Sequence, residues 1–158
     1  MKRIILTCLT LLLLVGPIAN AHAQTDEQKI IHLMKAMFDS PDNPLSVEPV
    51  VVKGDYAIAG WVQGERGGRA LLKRKDADWK IHLCAGDALK EAHMLEHAGI
   101  DNATAVELTT LLAKAESGTD KAILAKFTSF EGVMMVDENA GASAHAHHGQ
   151  ANQTGQSQ

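Results

Sequence analysis

The spacing of apolar and polar positions predicts a first helix over residues 25–39. Apolar side chains recur there at intervals of three and four positions, as on one face of an amphipathic helix. These side chains are Ile30, Leu33, Met34, Met37 and Phe38. Thr25 and Gln28 match a capping box at the start of the helix, and the Ser-Pro-Asp-Asn-Pro run at 40–44 ends it.

Short apolar runs separated by turn residues follow, which predicts a strand-rich segment. The runs fall at residues 47–52, 56–63, 69–75 and 79–84. Gly54 and Asp55 mark a hairpin turn, residues 64–68 read as a loop, and residues 76–78 form another turn. Four short strands joined by such turns predict an antiparallel meander.

Helical spacing returns after the strands and predicts two to three C-terminal helices. The first is expected to begin with Asp87 as its N-cap and to end at Gly99. Asp101 or Asn102 caps the second, and Thr119 caps a short third helix. The second carries an apolar stripe of Leu108, Leu111, Leu112 and Ala115, and the third carries Ile123, Leu124 and Phe127.

The chain ends in an apolar segment at 130–136 and then a polar tail. The apolar segment is expected to pack back on the body. From Glu138 the composition is Gly, Ala, Ser, Asn, Gln and His, which predicts disorder. The fold class is therefore α+β: one domain over residues 24–137, followed by a disordered, histidine-containing tail over 138–158.

The N-terminus has the pattern of a secretory signal peptide over residues 1–23. Lys2 and Arg3 precede an apolar run of about a dozen residues, which is too short to span a bilayer. Ala21-His22-Ala23 is a cleavage site, so the cut is expected before Gln24. We therefore predict a periplasmic protein with no membrane anchor after cleavage.

Charge and cysteine content narrow the function classes. The net charge is −4, so the chain lacks the excess of positive charge that is typical of proteins that bind nucleic acid or an anionic membrane. A basic stretch from Arg66 to Lys75 reads as a solvated strand face. Beyond the signal peptide the chain has a lone cysteine, Cys84, so no internal disulfide is possible.

Histidines and methionines near the C-terminus are candidate metal ligands. His145, His147 and His148 offer three imidazoles that can bind Cu(II), Ni(II) or Zn(II). Met134 and Met135 offer thioethers, which are soft donors that select Cu(I). The alternatives are a merely solubilising tail and methionines that fill the core.

His93 and His97 are the next candidates, because residues four apart lie on one face of a helix. They form either an accessory metal site or two solvated side chains. The sequence His-Met-Leu-Glu-His also matches His-x-x-Glu-His, the motif of inverzincin proteases. A domain this small leaves little room for a protease cleft and a third ligand, so we reject that interpretation.

The last predicted strand holds another pair. Strict alternation places Trp79, Ile81 and Leu83 on one face, and His82 and Cys84 together on the other. If that face lines a cleft, the pair is a soft-metal site, and a helix start nearby would lower the pKa of the thiol. If helices cover it, Cys84 is a small buried hydrophobe. No third group for a Cys-His hydrolase is identifiable, so no enzyme is predicted.

Several segments resemble one family. They are Tyr56–Gly64 running into Gly67–Arg74, then Leu83–Lys90, then Phe130–Asp137, and last the histidine-containing tail. In their order and in their residue sequence, these segments resemble the bacterial copper uptake system-associated proteins. Those are small exported proteins grouped with periplasmic copper-handling components. The resemblance implies association with copper import and a copper-transport or copper-handling partner, and it supplies no ligand set.

Two functions are therefore expected from the sequence. The first is a periplasmic copper-binding accessory protein, a metallochaperone whose Met and His ligands capture Cu(I) or Cu(II), with zinc or nickel as alternatives. Truncation after Asp137 would then remove most of the copper binding. The second is a small-molecule binding domain or enzyme, since the strand pattern partly resembles NTF2-like domains, with Trp61, Tyr56 and His82 lining a pocket.

Overall fold

A computed structural model describes residues 24–136 and shows an α+β fold, as predicted. The helices are α1 (Asp26–Phe38), α2 (Ala92–His97), α3 (Asn102–Glu116) and α4 (Lys121–Thr128), with a short 3₁₀ helix at Asp87–Lys90 before α2. The strands are β1 (Leu45–Lys53), β2 (Tyr56–Gln63), β3 (Arg66–Lys75), β4 (Asp78–Ala85) and β5 (Val133–Met135). The signal peptide and the tail predicted for 1–23 and 138–158 lie outside the described residues.

The strands form one antiparallel sheet in the order β1-β2-β3-β4-β5. The prediction of four strands was one short. Strand β5 comes from the apolar segment that was expected only to pack on the body. It pairs with β4 and forms the edge of the sheet, where all three of its residues are exposed.

Helix α1 covers one face of the sheet. The predicted capping box is present, with Thr25 Oγ1 accepting from the Gln28 N–H and Gln28 Oε1 accepting from the Thr25 N–H. Arg74 donates to both carboxylate oxygens of Asp26 at 3.0 and 2.6 Å and thereby fixes the start of α1 to β3. These hydrogen bonds lower the pKa of Asp26 to about 2. Ile30 and Met34 bury the apolar face of the helix.

The opposite face is covered by the 3₁₀ helix, α2, α3 and α4. A single helix from Asp87 to Gly99 was predicted, but the chain breaks at Glu91, which has extended backbone angles. Asp87 is not an N-cap, since its carboxylate instead accepts from Arg69 and Thr128 at 3.0 Å each. The end of α2 agrees with the prediction, because Gly99 has a φ of +86° and its N–H donates to the Glu96 carbonyl.

The caps of the next two helices differ in how well they were predicted. Asp101 caps α3 through its side chain, as one of the two predicted alternatives. Asp120 caps α4, in place of the predicted Thr119. Of the predicted stripe on α3, Leu108 and Leu112 are buried, whereas Leu111 is exposed.

A buried ion pair ties this helical layer to the sheet. Arg69 on β3 is 1% exposed, so its interpretation as part of a solvated strand face was wrong. Its guanidinium donates to both oxygens of Glu116 on α3 at 2.6 and 2.9 Å. It also lies over the ring of Phe127 on α4, 5.3 Å from the centroid. One side chain therefore connects β3, α3 and α4.

A β-bulge in β4 changes the predicted faces of that strand. Leu72 pairs with Ile81, but Leu71 pairs with Leu83, so His82 is the extra residue. Beyond the bulge the alternation is shifted by one position. Cys84 packs in the same cluster as Trp79 and Ile81 under α1, and Leu83 packs in the cluster on the other face. The prediction that Leu83 shares a face with Trp79 was therefore wrong.

The hairpin between β2 and β3 is tighter than predicted. Gln63 pairs with Arg66, so the loop contains two residues in place of the expected 64–68. Gly68 lies inside β3, where a Cβ atom would come within 3.0 Å of the Phe130 ring and 3.1 Å of the Trp61 ring. Glycine at this position lets two aromatic rings lie directly on the sheet.

Within residues 24–136, no helix has the length and apolarity needed to cross a bilayer.

Candidate functional site

A cavity of about 200 Å³ lies between α1, the β2–β3 end of the sheet and the edge strand β5. It lies on the α1 face, at the end where Trp61 and Phe130 pack. Its lining residues are Met34, Phe38, Asn43, Leu45, Trp61, Gln63, Arg66, Cys84, Phe130 and Met134. Most of them are apolar or sulfur-containing, so the cavity is poorly suited to hard, strongly hydrated ions.

Three sulfur side chains from three different elements line this cavity: Met34 from α1, Cys84 from β4 and Met134 from β5. Met34 and Cys84 are buried, at 2% and 6% exposure, whereas Met134 is 53% exposed. Cys84 and Met134 are direct partners across the β4–β5 ladder. Side chains in such antiparallel pairs have Cβ atoms about 4.5–5.5 Å apart, so the thiol and this thioether are neighbours.

Two aromatic rings form another wall of the cavity. Trp61 and Phe130 pack edge to face, with ring centroids 5.9 Å apart and an interplanar angle of 83°. The Nε1–H of Trp61 is buried and has no hydrogen-bond partner among the described residues. Burying a hydrogen-bond donor without an acceptor costs free energy. A bound group that offered an acceptor atom at this wall would therefore stabilise the folded protein.

The thiol of Cys84 is not activated. Burial raises its pKa to about 11, opposite to the predicted lowering by a helix start. The helix that follows is a four-residue 3₁₀ turn, and desolvation outweighs its small dipole. At neutral pH the thiol is protonated and a poor nucleophile, so binding of a metal ion to its sulfur would release a proton.

Met134 and Met135 do not act as a pair. Successive residues of a strand point to opposite faces, and only Met134 of the two lines the cavity. Met135 pairs with Leu83 and is 62% exposed. The two predicted thioether ligands therefore point to opposite faces of β5, and the second thioether that lines the cavity belongs to Met34.

His82 and Cys84 line different pockets. His82 lies at the bulge, in a pocket with basic neighbours that include Lys73 and Lys80, whereas Cys84 lines the sulfur cavity. The three residues predicted to line a small-molecule pocket, Trp61, Tyr56 and His82, likewise do not surround one cavity. Trp61 lines the sulfur cavity, but Tyr56 packs against the cluster on the opposite face of the sheet.

His93 and His97 both lie on the exposed side of α2, with ring centroids 6.4 Å apart. The tail histidines His145, His147 and His148 lie outside the described residues. Within residues 24–136, no three side chains among His, Cys, Asp and Glu come together as a metal site. The sulfur cavity differs from such a site because thioethers supply two of its three donors.

Sequence reasoning missed Met34 as a candidate ligand. It occupies an apolar position of α1, where a methionine and a leucine give the same periodic signal. Phe130 was likewise assigned only to a segment that packs on the body. A cavity shared by helix, strand and edge strand has no signature in the spacing of any one of them.

Comparisons with known protein families, curated proteins and solved structures give no match for this chain.

Proposed function

We propose that this chain is an exported, periplasmic copper-binding accessory protein of a copper uptake or handling system. It binds Cu(I) in the sulfur cavity and passes the ion to a copper-transport or copper-handling partner. The proposal assigns no catalytic step to the chain.

The observation that supports the proposal is the convergence of Met34, Cys84 and Met134 on one small cavity. Thioether and thiolate sulfur are soft donors, and among common metal ions they favour Cu(I). Mg²⁺ and Ca²⁺ require oxygen donors, and structural zinc sites take Cys and His ligands in place of methionine. The donor set therefore fits cuprous copper better than any of these ions.

The exposure of the donors also fits capture and release. Met134 is half-exposed on an edge strand, whereas Met34 and Cys84 lie inside. An ion can contact Met134 first and then move inward, and a partner can approach along the same edge. His145 follows Met135 by ten positions, so it lies at most about 35 Å from Met135 even when the chain between them is fully extended. We assign the tail to capture of Cu(II) from solution.

A second candidate function is binding of a small apolar molecule, in the manner expected of an NTF2-like domain. The unpaired Nε1–H of Trp61 favours it, because an acceptor on such a ligand would satisfy this donor. The volume of about 200 Å³ limits the ligand to roughly the size of benzene. Ligand pockets for larger molecules span about 300–1,000 Å³.

Anaerobic titration of Cu(I) into the chain from Gln24 to Gln158, against a competing chelator, tests the proposal. We expect an affinity of about micromolar or tighter. A variant with alanine at His145, His147 and His148 keeps the sulfur cavity, so Cu(I) binding should persist while Cu(II) binding weakens.

Two results would contradict the proposal. The first is that neither the chain from Gln24 to Gln158 nor its tail variant binds Cu(I). The second is Cu(I) binding that disappears with the three tail histidines, which would place the site in the tail alone. Stabilisation by benzene or indole without any response to copper would favour the second candidate function.

A further inference from the structure

The two histidines of α2 form a second candidate metal site, separate from the sulfur cavity. His93 and His97 are exposed and lie one helical turn apart, on a helix that packs on the face of the sheet opposite α1. Their donors are borderline imidazoles and the cavity donors are soft sulfurs, so the two places favour different metal ions.

The helix that carries the pair is short but firmly held. Leu95 lies between the two histidines in sequence and is fully buried against the sheet. The Ile100 N–H donates to the Leu95 carbonyl at 3.1 Å, which completes the Schellman motif that begins at Gly99. Ile100 is itself 3% exposed. The backbone between the two imidazoles is therefore fixed, and only their side-chain rotations remain free.

The distance between the two ring centroids is close to the distance expected when both rings bind one ion. An ion bound at about 2.0–2.1 Å from a ring nitrogen lies about 3.2 Å from the ring centroid. Two rings on one ion therefore have centroids at most about 6.4 Å apart, and about 4.5–5.2 Å apart at right-angle or tetrahedral geometry. The observed separation is 6.4 Å. Rotation of two exposed side chains can provide the approach of about 1–2 Å that remains.

The helix dipole also favours a cation near His97. His97 is in the last turn of α2, where the helix dipole presents its negative end. Glu96 is the nearest acidic residue in sequence, but its Oε1 accepts from Asn102 Nδ2 at 2.9 Å. The carboxylate is thus held toward α3, and we assign the two imidazoles as the protein donors.

We infer that His93 and His97 bind a single Cu(II) ion at the surface of α2, with water completing the coordination. Two imidazoles with water suit tetragonal Cu(II), which also binds nitrogen donors more tightly than Zn(II) or Ni(II) does. This site is independent of the proposed Cu(I) cavity, because it shares no residue with it and lies on the other face of the sheet.

The test uses the chain from Gln24 with alanine at His145, His147 and His148, so that the tail imidazoles do not compete. Cu(II) affinity is measured with glycine as competitor, and the bound ion is examined in glycine-free samples by electron paramagnetic resonance. We expect superhyperfine splitting from two nitrogen donors. Adding His93→Ala and His97→Ala should lower the Cu(II) affinity at least about tenfold, and each single substitution should do nearly the same because chelation needs both rings.

A matched control replaces His32 and His82, the other two histidines of the described chain, and should leave the Cu(II) affinity within about twofold. Because His93 and His97 are exposed, their replacement should leave the far-ultraviolet circular dichroism spectrum unchanged. Unchanged Cu(II) affinity in the His93→Ala, His97→Ala variant would overturn the inference. So would an equal loss in the His32, His82 control. Neither result affects the Cu(I) cavity, which is tested by cuprous titration.

Discussion

Replacing Glu116 with alanine is expected to lower the free energy of unfolding by about 3–5 kcal/mol. Glu116 is 6% exposed, and its carboxylate accepts two hydrogen bonds from the 1% exposed guanidinium of Arg69. Among residues 24–136, removing it leaves the buried guanidinium with Asp87 as its remaining ionic partner, and the Asp87 side chain is half-exposed. Urea denaturation followed by circular dichroism measures the change.

Two variants serve as controls for this prediction. Asp87→Ala should cost only about 1 kcal/mol or less, because that carboxylate is well solvated. Replacing Arg69 with methionine together with Glu116→Leu removes both charges, so it should destabilise much less than Glu116→Ala alone. If Glu116→Ala and Asp87→Ala prove equally mild, the ion pair does not hold the helical layer on the sheet.

Loss of two internal sulfur donors is expected to weaken Cu(I) binding by at least about 100-fold. The variant combines Met34→Leu with Cys84→Ala, and affinity is measured by anaerobic competition with a Cu(I) chelator. Leucine has nearly the volume of methionine, so the core should remain packed while a thioether is lost. Each substitution alone should give part of the loss, because both side chains line the cavity.

Met135→Leu is the matched control for the thioether, since Met135 neighbours Met134 in sequence but does not line the cavity. It should leave the Cu(I) affinity unchanged, whereas Met134→Leu should reduce it. If Met134→Leu and Met135→Leu changed the Cu(I) affinity equally, the thioether that lines the cavity would have no special role in binding.

Hydrophobic periodicity predicted the elements whose burial is regular. The limits of β2 agree with the prediction, and α1 begins at its capping box, because one apolar face and local caps determine both. Helix α2 ends at His97, and the predicted Gly99 follows its C-cap with a positive φ, for the same local reason. Where a short stretch of sequence specifies the structure, the prediction is confirmed.

Features that depend on distant partners were not predictable in this way. Arg69 looks like a surface cation because its partner Glu116 is 47 positions away. The bulge at His82 inserts a single residue into the ladder, and nothing in the composition of β4 marks it. The side chain of Cys84 moves to the α1 face as a result. That shift is what brings the thiol into the cavity.

The candidate site was accordingly predicted only in part. Cys84 and Met134 were named from their chemistry, but Met34 was counted as core, and His82 and Met135 do not line the cavity. Strand β5 has three residues, which is too short for an alternation pattern to emerge. Its pairing with β4, and hence the position of Met134 opposite Cys84, required the three-dimensional structure.

X-ray absorption at the copper edge of the Cu(I)-loaded chain is the most direct measurement of the proposed sulfur site. Sulfur scatterers at about 2.3 Å should dominate the first coordination shell, and Cys84→Ala should remove one of them. A first shell made of nitrogen, unchanged by Cys84→Ala, would contradict the sulfur cavity as the site of copper capture.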